Sequence, residues 1–234
     1  SKILGKFVSP YDATVVENTR ATFRVVLNGR PPYVVQWFKN GEAIAGATGT
    51  TLNYTPALAE DGALIQLWAT NNILATNYWT ASSNAVLHVL VDTNPPVLVH
   101  VSSAGAEVVR VLFSEPVTES TANRLANYAL SGPGGSVLLT APALSADGSL
   151  VSFACPPLML GSNYVMVVNN VQDRAAVRNT IAPDASFTFV ATPFEVRDIG
   201  APSVVSQVSG VDGGYNITAA GSGLGGTSDQ FTFG

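Results

Sequence analysis

Tyr33-Val34-Val35-Gln36-Trp37-Phe38-Lys39-Asn40-Gly41 is the stretch on which the reading of the chain turns. Side chains along a strand alternate between its two faces. With Trp37 turned inward, Tyr33 and Val35 share its face, while Val34, Gln36 and Phe38 point the other way. Asn40-Gly41 tolerates the positive φ angles of a tight hairpin turn, so the strand ends there. Upstream, Thr22-Phe23-Arg24-Val25-Val26-Leu27 alternates in the same manner. Downstream, the segment from Asp61-Gly62 through Leu67-Trp68-Ala69 does so again.

In their spacing these three segments resemble strands B, C and F of an immunoglobulin-like domain, with the core Trp on C and an Asp-x-Gly-x-x-x-x-Leu pattern on F. The resemblance is to the cysteine-free, I-set-like modules of large bacterial surface proteins. It implies that Val25 and Leu67 occupy the positions of the usual inter-sheet disulfide, and that Ile65 replaces the usual corner tyrosine. The remaining strands of this module are expected at Ser1–Val8, at Thr14–Glu17 (strand A′), at Glu42–Ile44, at Thr51–Tyr54 and at Asn84–Val91 (strand G).

Composition agrees with an all-β chain. Of 234 residues, 47% are hydrophobic and 12% charged, with 21 Gly and 14 Pro, a mixture that suits many short strands joined by turns. That length exceeds one sandwich of ~100 residues and accommodates two with a remainder. The net charge of −5 argues against a nucleic-acid partner, which calls for a basic stripe. No apolar run approaches the ~20 residues of a membrane-spanning helix, so membrane insertion is not expected. Cys155 is the single cysteine, which rules out an internal disulfide, and a buried, inert thiol is expected. The chain begins at Ser1 without Met and reads as a piece of something longer.

Two features of the first module attract a functional reading. Period two places Val34, Gln36, Phe38, Gln66, Trp68, Val86, His88 and Leu90 on the outward face of strands C, F and G. A solvated sheet face is normally polar, so this one is either a contact surface, or covered by loops, or the product of a one-residue register error. Asn71–Thr80 is longer than a hairpin loop needs and carries Tyr78-Trp79. Those aromatics either stack on a ligand from a loop tip or begin strand G and pack on the sheet edge. Phe38, Trp68, His88, Tyr78 and Trp79 are therefore the candidate binding residues.

Asp92-Thr93-Asn94-Pro95-Pro96 is a stiff connector, since proline restricts both itself and its predecessor. Asp92 and Asn94, with help from Asp173, are weak candidates for calcium, which wants six or more oxygens. No metal or cofactor is assigned. Alternation then resumes at Val97–Val101, Glu107–Phe113, Leu125–Leu130, Val137–Leu139, Ala143–Leu144, Leu150–Phe153, Leu160–Val168 and Phe187–Val190. Together with Phe113-Ser114-Glu115-Pro116-Val117, Asn127-Tyr128, Asp147-Gly148 and Val171-Gln172-Asp173, the pattern resembles a bacterial Ig-like family repeated in S-layer and other surface proteins. Tyr164 is the expected corner tyrosine. The loop Arg174–Asn179 departs from that family, and a reshaped loop is expected there. Glu115 and Asp173 are expected to be solvated turn residues, with nothing in the sequence bringing them together.

Residues 192–234 are too few for an independent sandwich. Strands are expected at Tyr215–Thr218 and Asp229–Phe233, on either side of a Gly-rich loop, and the segment resembles the opening of a jelly-roll domain of secreted bacterial polysaccharide-related proteins. The expected fold class is thus all-β: tandem Ig-like sandwiches at 1–91 and 92–191 and an incomplete C-terminal β segment at 192–234.

No constellation for catalysis is found, so the chain is not expected to be an enzyme. The leading expectation is an extracellular or cell-surface segment of a large bacterial protein that spaces, displays or binds. Its partners would be other domains of that protein or other copies of the chain, with a glycan implied only by the family resemblances. The alternatives are a self-assembling subunit of a surface fibre or sheath that uses strand addition, and an accessory portion of a polysaccharide-degrading enzyme.

Overall fold

A computed structural model describes residues 8–28, 31–73 and 76–193, and after them the strands Arg197–Ile199, Gln207–Val211, Gly214–Thr218 and Phe231–Phe233; side chains are described within 8–28, 31–70 and 79–193. The chain is all-β and forms tandem sandwiches. It divides into two compact units, Ser1–Thr93 with Ala175–Val177, and Asn94–Arg174 with Arg178–Gly234.

The first unit contains β1 (Ala13–Val16), β2 (Ala21–Arg24), β3 (Val34–Lys39), β4 (Glu42–Ala43), β5 (Thr51–Tyr54), β6 (Ala63–Ile73), β7 (Thr76–Ala81) and β8 (Ala85–Leu90). One sheet has the order β1-β8-β6-β3-β4, with β7 also paired to β6, and β2-β5 forms the other. β1 runs parallel to β8, the placement of strand A′ beside strand G. The expected entry strand lies outside the described residues except for Val8, which bridges Val26.

The alternation around Trp37 is as read. Val35 and Trp37 are buried, Val34 is exposed, and Trp37 faces Leu67 across the ladder. The Trp37 indole lies 6.4 Å from the ring of Phe23 and donates its N–H to the Gly49 carbonyl at 2.8 Å. A buried indole must satisfy that donor, and here the turn before β5 does so. Val25, Leu67 and Ile65 are all core residues. Asn40 and Gly41 have φ of 50° and 85°, so a two-residue turn closes the β3–β4 hairpin. The Asn40 side chain also accepts the Leu64 N–H at 2.8 Å, tying that turn to β6.

One expectation needs correction. Asn71–Ile73 and Thr76–Thr80 are strand and not loop, because β6 runs on to Ile73 and β7 starts at Thr76, with a continuous register from Trp68↔Ala81 to Ile73↔Thr76. Thr, Ile, Tyr and Trp favour a pleated ladder, and that preference outweighs the turn tendency of the Asn residues.

The second unit contains β9 (Leu98–Ser103), β10 (Val108–Phe113), a one-turn helix (Glu119–Ala122), β11 (Tyr128–Gly132), β12 (Gly135–Val137), β13 (Thr140–Leu144), β14 (Leu150–Ala154), β15 (Asn163–Val168) and β16 (Ala185–Val190). Its two sheets are ordered β13-β14-β10-β9 and β12-β11-β15-β16. Val101, Val109, Val111, Val151, Phe153, Met166 and Val168 fill the space between them. Tyr164 is a corner tyrosine, with its hydroxyl accepting the Met159 N–H at 2.8 Å. Leu125–Asn127 is a 3-10 turn and not the start of β11, since the buried Asn127 amide donates to the Thr121 carbonyl at 2.8 Å and so holds the turn. β15 starts only at Asn163, because Gly161 takes a φ of 81° that breaks the strand.

Beyond residue 193, Arg197–Ile199 pairs with Phe231–Phe233, and Gln207–Val211 with Gly214–Thr218. The Gly-rich loop at 221–226 and Asp229-Gln230 lie outside the described residues.

Candidate functional site

The outward face of β3, β6 and β7 carries a row of aromatic rings. Phe38 and Trp68 have centroids 5.1 Å apart, and Trp68 and Trp79 stack at 5.7 Å with 20° between their planes. The register explains the row. Gln36 and Trp68 are directly opposite, as are Phe38 and Gln66, and Thr70 and Trp79, so the three rings sit on successive diagonals of one face. Trp68 is 43% exposed and Trp79 68%, whereas Phe38 is half-buried beneath Trp68. Neither covering loops nor a register error removes this face from solvent.

Two half-buried amides lie among the rings. Gln36 donates from Nε2 to the carbonyls of Trp37 and Ile44. Gln66 donates from Nε2 to the Ser82 carbonyl at 2.7 Å and accepts the Trp68 indole N–H at Oε1, also at 2.7 Å. Among the described residues no ionised side chain belongs to the ring row, so an incoming ligand there meets apolar ring faces edged by amides.

Of the other candidate binding residues, His88 is exposed on β8 opposite Thr14, with Nδ1 4.0 Å from an Asp61 carboxylate oxygen. It shares the sheet face but stands apart from the ring row. Tyr78 pairs with Asn71 in the β6–β7 ladder, and its side chain lies outside the described residues. Trp79 belongs to a strand and not to a loop tip, so its ring is presented by a ladder-bonded backbone.

The weak metal candidates fall in different units: Asp92 in the first, Asn94 and Asp173 in the second. Asp173 is not a solvated turn residue. It is fully buried, and its carboxylate accepts the Asn179 backbone N–H at 3.1 Å and the Asn179 side-chain amide at 2.7 Å. This pairing shapes the loop that was expected to depart from its family, with Arg174 donating to the Val117 carbonyl and Arg178 to the Asp173 carbonyl. Glu115 is half-buried, and a carboxylate oxygen of Glu115 lies within 4.8 Å of one of Asp173, an adjacency invisible in the sequence. Cys155 is buried, and its surroundings push the thiol pKa up, first through desolvation and then through the neighbouring Glu107 charge, as suits an unreactive thiol.

A second polar cluster is structural. At the end of β3, Lys39 Nζ meets the Tyr54 hydroxyl at 2.8 Å and bonds Glu60, and the Tyr54 hydroxyl donates to the same Glu60 oxygen at 2.5 Å. The other Glu60 oxygen accepts the Ala57 N–H at 2.9 Å. Bonding to Glu60 and Tyr54 raises the Lys39 pKa. Burial opposes ionisation of Glu60, but the bonds from Lys39, Tyr54 and Ala57 outweigh it and hold its carboxyl below the usual range.

No protein-family model matches the sequence, and no curated protein does. Among solved structures, the N-terminal part of the bacterial S-layer protein SbsC is similar at 14% identity and a TM-score of 0.39, over 58% of this chain and 37% of that one. A longer SbsC structure is similar at 15% identity and a TM-score of 0.39, over 59% of this chain and 22% of that one. The titin Z1Z2 domains, solved in complex with telethonin, are similar at 14% identity and a TM-score of 0.29, over 82% of this chain and 98% of that one. The chain thus spans well under half of the S-layer chains it resembles, and agreement at this level bears on no residue of the aromatic face.

Proposed function

We propose that this chain is a non-catalytic segment of a larger secreted or surface bacterial protein, serving to space, display and bind, and that it meets an uncharged glycan across the Phe38–Trp68–Trp79 face. The observation that carries the reading is the pair of stacked, solvent-open indoles held on a hydrogen-bonded ladder. An indole face carries the negative side of the ring quadrupole, and the C–H bonds of a pyranose face are its natural complement. A charged ligand would find no ion-pair partner in the row, whereas a polyhydroxyl chain matches the amides beside it. Presentation from strands keeps the rings in place before the ligand arrives, which lowers the ordering cost of binding.

The test is an array of uncharged polysaccharides, followed by titration with any that bind. Binding is expected, with about a tenfold loss of affinity, ~1.4 kcal/mol, in Trp79→Ala. Silence across the array, or binding that Trp79→Ala leaves unchanged, removes the reading.

A further inference from the structure

The Trp68 indole N–H is bonded to a side chain of its own strand. Gln66 Oε1 accepts the Trp68 indole N–H, and Gln66 Nε2 donates to the Ser82 carbonyl, both at 2.7 Å. These contacts fix which end of the amide is which. The reversed amide would set its oxygen against a carbonyl oxygen and its NH2 against an indole N–H. The anchor is itself bonded on both sides. Ser82 is buried, its N–H donates to the Leu67 carbonyl at 2.9 Å, and its hydroxyl accepts the Leu67 N–H at 3.0 Å. Ser82 follows β7 and precedes β8, so it is bonded to β6 at the point where the neighbour of β6 changes from β7 to β8.

We infer that Gln66 is the positioning residue of the aromatic face: through Ser82 it pins the Trp68 indole between Phe38 and Trp79, so that the face offers ring surface and not an indole donor. The ligand-binding half of this inference rests on the glycan reading above; the pinning half does not. Because the Trp68 N–H is bonded to Gln66 within the chain, a ligand gains C–H contact from this ring and no hydrogen bond. Phe38, directly opposite Gln66 in the register, closes the other side of the relay.

The test uses the full 234-residue chain, which has three tryptophans and so three indole N–H resonances. Trp37, bonded to Gly49 in the core, serves as an internal control for folding. In the wild-type chain the Trp68 N–H is expected to exchange more slowly than a free indole, by about tenfold or more. Gln66→Met, which keeps the side-chain length but neither partner, is expected to abolish that protection while leaving Trp37 protected. It is also expected to weaken any polysaccharide binding by about threefold or more. Gln66→Glu keeps an acceptor for the indole but loses the donor to the Ser82 carbonyl, so it is expected to retain part of the protection. Protection persisting in Gln66→Met, or lost equally in Gln66→Glu, overturns the inference. If Gln66→Met loses the Trp37 signal as well, the comparison of wild type with Gln66→Glu, and of wild-type Trp68 with free indole, decides. An array silent for the wild-type chain while protection is lost only in Gln66→Met sinks the glycan reading and leaves the pinning standing.

Discussion

Gly132→Ala should be among the most damaging single-methyl additions in the second unit. Gly132 ends β11, and the ring of Tyr164 on the neighbouring β15 lies over its backbone. A Cβ at residue 132 would sit 2.3 Å from Tyr164 Cε1 and 2.4 Å from Cδ1. An ordinary carbon contact is ~3.5–4.0 Å, so the ring or the strand has to withdraw by more than about 1 Å. The ring has little room to do so. Tyr164 is 5% exposed, stacked at 5.9 Å on Phe189, and tethered by the Met159 N–H to its hydroxyl. Forcing a methyl into a packed core costs roughly 1–3 kcal/mol. If the ring yields instead, the corner bond is lost at about 1 kcal/mol and the stack at ~0.5–1.5 kcal/mol. The second route sums to roughly 1.5–2.5 kcal/mol, inside the range of the first, and for a unit of this size that lowers Tm by about 5–8 °C. Calorimetry measures the shift. Native tryptophan emission should not change, because Trp37, Trp68 and Trp79 all belong to the first unit. A Tm within about 1 °C of wild type would refute the idea that the corner tyrosine is held rigidly.

Other perturbations test other parts of the molecule. Trp37→Phe removes the indole bond to Gly49 and leaves a partly filled space against Phe23, so denaturant unfolding followed by circular dichroism should show a loss of about 2–3 kcal/mol. Asp173→Ala deletes both bonds to Asn179 from a buried position and should cost about 2 kcal/mol, with faster amide exchange at Asn179. The Lys39–Tyr54–Glu60 cluster predicts an acid dependence. Glu60 has its carboxyl pKa lowered by folding, so its contribution is present above the unfolded value, 4.5, and is lost as pH falls through the folded value. Glu60→Gln should flatten the stability profile in that acid range and leave its slope near neutral pH unaltered; an unchanged acid limb would show that the cluster stores nothing. With both charged side chains part-exposed, the total effect should be on the order of 1 kcal/mol or less.

What was legible in the sequence follows from which physical signals are local. Strand parity is local, and it correctly placed Trp37 and Val35 inside and Val34, Phe38 and Trp68 on the open face. The Asn40-Gly41 turn and the Tyr164 corner were legible for the same reason, since each depends on residues close along the chain. The β6–β7 extension was missed because Asn71-Asn72 weighs toward a turn when read alone, and only pairing across the ladder reveals strand. The burial of Asp173 was missed because a carboxylate is read as solvated until its partner is known, and that partner, Asn179, sits in the loop that departs from the family pattern.

The aromatic face shows where such reading stops and what a structure adds. Parity assigns Phe38, Gln66 and Trp68 to one side of a sheet, but it is silent on rotamers. Whether two indoles form a platform or point apart depends on what satisfies their N–H groups. For Trp68 the answer is a glutamine two residues away along the same strand, held by a carbonyl sixteen residues further on. Residues i and i+2 share a face in any strand, so Gln-x-Trp alone carries little information. It becomes a positioning device only when the ladder brings the Ser82 carbonyl to the other end of the amide. That is why Gln66→Met and Trp79→Ala test different things: the first changes how a ring is held, and the second whether a ring is there at all.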